Sequence, residues 1–172
     1  VADAGGQASA VVKDGILQID INNPGKEPYA IQLIQSQIKI EEALRYKVSF
    51  DAKASEKCAI DVKIGGLENT GWKDYTNGES AGGTIVYLST EIENHIFEFG
   101  MEEKTDANAR LEFQLGTISA STVWIDNIKI EMIGQNMSKY VDPSVWTANP
   151  NKVVIPEIKN RGAKLPFIQY EA

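Results

Sequence analysis

Two large rings, Trp72 and Tyr75, sit in the stretch GGLENTGWKDYTNGESAGG, whose glycines and short polar residues disfavour a regular element. A ring in so polar a segment either anchors the loop over a core or lines a ligand cleft, since apolar area left in water is unfavourable. Tyr29 is a third such ring: it follows Pro28 and precedes Ile31 and Leu33, where a strand entrance can carry it to the rim of a sheet. Gln32 alternates with Ile31 and Leu33, and Gln114 alternates with Phe113 and Leu115, so both amides face away from an apolar row. They are either ordinary solvated strand residues or paired donors and acceptors on an outer sheet surface. Flat rings beside fixed amides suit a pyranose sugar, which has faces rich in C–H groups and edges rich in hydroxyls.

Other chemistry is poorly supported. The sequence contains no nucleophile elbow, phosphate-cradling glycine loop, zinc motif or nicotinamide fingerprint. Its lone histidine, His95, shares the parity of Phe97 and reads as a packing or strand-edge residue. Glu102 and Glu103 flank a turn and read as a solvated charge run. Carboxylates are abundant enough for a glycan hydrolase, but no local spacing singles out an acid and its partner. Cys58 is the single cysteine, which excludes an internal disulfide and a thiolate cluster.

The elements that must position these residues are strands. Ile16, Ile19 and Ile21 flank polar positions, and Tyr46, Val48 and Phe50 alternate with Lys47 and Ser49. Ile60–Ile64, Phe97–Met101 and Leu111–Leu115 repeat the pattern. Along Val123–Met132 the apolar row changes phase between Ile125 and Ile128, which predicts a bulge or a change of packing environment. Gln37–Leu44 suits either a helical turn around Glu41–Ala43 or a strand carrying Ile38 and Ile40. Strands with one apolar and one polar face bury themselves best as two packed sheets, so the expected fold is an all-β sandwich of two antiparallel sheets.

The chain has 172 residues, 42% hydrophobic and 24% charged, with a formal charge of −7. That composition describes one folded domain and argues against a phosphate-backbone, nucleic-acid partner. No apolar run approaches the roughly 18 residues of a membrane span, and Val1–Gln7 has no signal-peptide character. Residues 1–133 carry 12 basic and 21 acidic side chains, whereas residues 134–172 carry 5 and 3 together with four of the six prolines. The expected organisation is therefore a sandwich over 1–133 and a proline-containing linker or tail over 134–172 that can lead into another module.

Taken in order, YAIQL at 29–33, YKVSFDAKAS at 46–55, TDANARLEFQLG at 105–116 and VWIDNI at 123–128 resemble the carbohydrate-binding modules of families 4, 9, 16 and 22. The resemblance implies a β-jelly roll without catalysis, a monomeric accessory module of a secreted or cell-surface glycoside hydrolase, holding internal stretches of a neutral polysaccharide in a groove on one sheet. A β-glucan is the favoured ligand. It implies carbohydrate contacts from Tyr29, Gln32, Trp72, Tyr75 and Gln114. It also implies a structural Ca²⁺ with Asp126 of the IDN motif as ligand and Asp3 as a companion, against which stands a turn-capping role for Asp126. A β-glycan hydrolase domain and a structural spacer are the competing functional readings.

Overall fold

Residues 4–78, 83–119 and 121–136 are described in the computed structural model. Nine strands follow one another: β1 Gln7–Lys13, β2 Ile16–Asn23, β3 Gln32–Ile40, β4 Leu44–Ala54, β5 Cys58–Gly65, β6 Thr84–Leu88, β7 Glu93–Gly100, β8 Asp106–Gln114 and β9 Thr122–Gln135. They form a five-stranded sheet in the order β1-β2-β9-β4-β7 and a four-stranded sheet in the order β3-β8-β5-β6, with every neighbouring pair antiparallel. The two-sheet antiparallel sandwich expected from the alternation is the observed fold.

The core lies between the inner faces, where Ile19, Val48, Phe50, Ile60, Val62, Leu111, Phe113, Val123 and Ile125 are buried. Phe50 of one sheet meets Phe113 of the other edge to face, 5.0 Å between centroids and 86° between planes. That geometry brings the positive edge of one ring to the negative face of the next. His95 lies against Phe50 on this same side, its ring 5.4 Å away.

Turn chemistry explains two features. Strand β1 returns into β2 through Asp14 and Gly15, both at positive φ, with Lys13 paired to Ile16. This is the two-residue mirror-image turn whose twist matches the flanking strands, and the Asp-Gly pair is its usual sequence. In β9, Lys129 and Asp126 enclose two residues where their partners Ser49 and Asp51 enclose one. The extra residue is a bulge with Asn127 at φ 51°, and it accounts for the phase change between Ile125 and Ile128. The Gln37–Leu44 window resolves as the end of β3 at Ile40, then a turn with Ala43 at φ 62°.

Strand β9 continues past residue 133 to Gln135, and the Asn136 N–H donates to the Ala43 carbonyl at 2.7 Å. The packed body therefore runs a few residues beyond the compositional boundary, because ladder bonds rather than charge decide where a strand stops. The rest of the expected tail lies outside the described residues.

Replacing Phe113 by Ala removes the ring that joins the two sheets and leaves a cavity. Denaturant unfolding should show a loss of about 3–5 kcal/mol, with the transition still cooperative.

Candidate functional site

On β8, the inner positions Ala109, Leu111 and Phe113 alternate with Arg110, Glu112 and Gln114, which face outward. Register then fixes the neighbours: Gln32 of β3 and Asp61 of β5 lie opposite Gln114, and Ile34 and Lys63 lie opposite Glu112. The outer face of the four-stranded sheet therefore carries a polar strip. Tyr29, Gln32, Ile34, Lys63, Trp72, Arg110, Glu112 and Gln114 line a cleft of about 590 Å³ over it.

Its centre is Glu112, whose side chain is 0% exposed. Arg110 Nε donates to one carboxylate oxygen at 2.5 Å. Gln32 Nε2 donates to the other at 2.9 Å, Gln114 Nε2 approaches it at 3.4 Å, and Lys63 Nζ lies 3.7 Å away. A buried carboxylate is tolerated only when its charge and lone pairs are matched, and here two cations and two amides do so. The same contacts orient the amides: with each nitrogen turned to Glu112, each oxygen is turned the opposite way.

Arg110 carries the arrangement one residue further. Its guanidinium lies over the Trp72 ring, 4.7 Å from the centroid, so one face of the indole is occupied while the side chain stays 49% exposed. The Trp72 backbone adopts φ 57°, uncommon for a bulky residue, after a short turn at Glu68–Thr70 and a left-handed Gly71. The Trp72 N–H donates to the Leu67 carbonyl, and the Gly66 N–H donates to that of Lys73, which fold the segment back on itself. Tyr29 stands at the other end of the strip, in a short turn over Pro28–Ala30, and is also 49% exposed. Its turn packs on Gly116, where any Cβ would collide with the Glu27 carbonyl oxygen.

Tyr75 does not belong to this cleft. It is 4% exposed, its N–H donates to the Ile64 carbonyl, and its hydroxyl donates to Asp106 at 2.7 Å. Asp74, bridged to Gly65, turns the chain so that Tyr75 passes under the loop while Trp72 stands above it. Of the rings expected to contact ligand, Tyr75 is thus the loop's anchor. Burial, followed by the Asp106 hydrogen bond, pushes its hydroxyl pKa up to about 12.

Asp126 sits at the β9 bulge and accepts the N–H of Asn127 at 2.7 Å. The adjacent Asp51 carboxylate is held by the Asn127 amide and then by that of Asn94, which keep it below its ordinary pKa. Among the described residues no three His, Cys, Asp or Glu side chains gather as a metal site. Asp126 therefore has a capping partner and one acidic neighbour, Asp51, paired opposite it, and Asp3, the second ligand expected, lies outside the described residues.

Arg110, Lys63 and Glu112 were not singled out by the sequence pattern, although Glu112 and Arg110 share the parity of Gln114. Glu112 is also the single carboxylate among the described lining residues. Glycoside hydrolysis ordinarily uses two, about 5–9.5 Å apart, one of them able to give up a proton.

The fold that carries this cleft is shared with the chain's relatives. The chain belongs to the carbohydrate binding domain family, whose CBM_4_9 profile matches residues 2–122. Among solved structures, a CBM4 module has 26% identity and a TM-score of 0.68, over 76% of this chain and 79% of that one. The N-terminal cellulose-binding domain of Cellulomonas fimi β-1,4-glucanase C has 18% identity and a TM-score of 0.55, over 73% and 84%. A family 29 module complexed with mannohexaose has 17% identity and a TM-score of 0.51, over 82% and 86%. The last two show the shared fold alone. A comparison with curated protein sequences gives no match. The chain is thus a carbohydrate-binding module, a class whose task is attachment rather than bond cleavage.

Two outcomes follow from the packing. Glu112→Gln leaves Arg110 and Lys63 buried without their counter-charge, so chemical denaturation should register a loss of about 3 kcal/mol or more. For Tyr75, a folded pKa above the unfolded value near 10 means that its stability contribution is complete below pH ~10 and is lost as the pH climbs toward 12. That loss is about 2–3 kcal/mol, and Tyr75→Phe should abolish this alkaline limb in a pH series of unfolding curves.

Proposed function

We propose that the cleft holds internal stretches of a neutral β-linked polysaccharide, most favourably a β-glucan, and keeps an attached glycoside hydrolase near its substrate. The observation that carries this reading is the pairing of a half-exposed indole with two amides whose orientation is set by one buried carboxylate. Trp72 offers the ring face not covered by Arg110, and Tyr29 offers a second ring at the other end of the strip. Gln32 and Gln114 line the floor between the rings, each with its nitrogen turned to Glu112.

Magnitudes agree with a modest binder. If each ring removes roughly 75 Å² of apolar area from water, two rings contribute about 4 kcal/mol at ~25 cal/mol/Å². Micromolar affinity needs about 8 kcal/mol net, so several hydroxyl bonds worth ~1 kcal/mol each must add to stacking. Because the amides are already held, little side-chain entropy is lost on binding. The cations of the cleft are engaged with Glu112, so attraction to a neutral chain should depend only weakly on salt.

The cellulose-binding domain of β-1,4-glucanase C shares this fold, which supports a β-glucan and a hydrolase as neighbour. Secretion and a monomeric state accord with that setting.

A glycan array followed by titration calorimetry tests the reading. Wild-type protein should bind one or more β-glucans, and Trp72→Ala should weaken binding roughly 25-fold, the equivalent of one ring face at ~2 kcal/mol, with the circular dichroism spectrum unchanged. Silence across the array, or equal affinity of the variant, would overturn it.

A further inference from the structure

The cleft lining draws on β3, β8 and β5, but the surface that forms its floor continues. Across the four-stranded sheet the outward row runs from Gln32 through Gln114 and Asp61 to Ile85 on β6. Strand β6 is the edge of this sheet. Two residues further along β6, on the same outer face, is Tyr87, which is 74% exposed and paired with Ala59. Ala59 is small and exposed, so the neighbouring strand places no bulk over the flank of the Tyr87 ring. A large ring left so open on an edge strand lacks the packing that a structural tyrosine has, as the contrast with buried Tyr75 makes plain.

We infer that Tyr87 forms an outer sugar subsite and that the glycan crosses the strands of the sheet from the β3 edge toward the β6 edge. This rests on the carbohydrate reading proposed above. Neighbouring strands are ~4.8 Å apart, and a β-linked pyranose chain advances by a similar distance per unit. Each sugar then lies over about one strand. Rings standing at the two ends of the strip, Tyr29 and Trp72, border such a path rather than block it. The cleft lining reaches as far as Lys63 and Gln114, so about three sugars occupy it. A longer chain projects over β6 at Ile85, where the Tyr87 ring, two residues along the same face, flanks the next sugar.

The inference sets a length dependence that Trp72 does not share. Calorimetric titrations would use β-1,4-linked glucose oligomers of three and six units with the wild-type protein and with Tyr87→Ala, Tyr87→Phe and Trp72→Ala. Tyr87→Ala should lower hexaose affinity roughly ten-fold and leave triose affinity unchanged, while Tyr87→Phe, which keeps the ring, binds both as wild type does. Trp72→Ala should weaken both lengths. Equal hexaose affinity in wild type and Tyr87→Ala, or an equal loss for both lengths, would overturn the outer subsite while leaving the cleft itself intact. Failure of the wild-type protein to bind either oligomer would overturn the glucan reading and this inference with it.

Discussion

A carboxylate that is wholly removed from water must be surrounded by donors, and Glu112 meets that demand by drawing four side chains from three strands into one cluster. Gln32 comes from β3, Lys63 from β5, and Arg110 and Gln114 from β8 itself. Electrostatics acting over a few ångströms thus organises the whole floor of the cleft. Arg110 then passes the order on to Trp72 through its stacked guanidinium, so that an aromatic on a long loop is tied to a rigid strand. Without the buried charge, the two amides and the indole would lose the contacts that tie them to one centre and regain rotamer freedom.

The sandwich supplies the platform. Strand β8 is an interior strand, paired on both sides, and its inner residues Leu111 and Phe113 are held in the core. Because side chains alternate, fixing those two residues also fixes the height and spacing of Arg110, Glu112 and Gln114 on the other face. The bulge in β9 belongs to the opposite sheet and brings Ile130 against the core opposite Val48, while Ile128 and Met132 of the same row stay exposed.

Loop architecture gives two neighbouring rings opposite roles. Trp72 and Tyr75 sit three positions apart in the same polar stretch, but the Gly65–Asp74 bridge sends one upward and the other beneath. Tyr75 finds Asp106 as a partner for its hydroxyl, which makes its burial tolerable. The indole has no comparable pocket and is stabilised from one side only by Arg110. One loop thus carries an open ring and a buried one, and the buried ring anchors the segment that presents the other.

Much of this organisation is legible in the residues themselves. Alternation along Tyr46–Phe50, Ile60–Ile64 and Leu111–Leu115 marked the strands, and polar faces opposite apolar ones favoured a two-layer sandwich, because with little helical pattern the apolar faces are left to cover one another. The outward direction of Gln32 and Gln114 follows from the same parity. Tertiary structure alone decided that β3, β5 and β8 lie side by side, since strand neighbours depend on long-range pairing that no local spacing records. It therefore decided that Glu112, a residue type usually found in solvent, is sealed under Arg110 and Lys63, that Trp72 faces out, and that Tyr75 faces in. Parity assigns a side chain to a face of its own strand; only the packing of distant strands determines what that face meets.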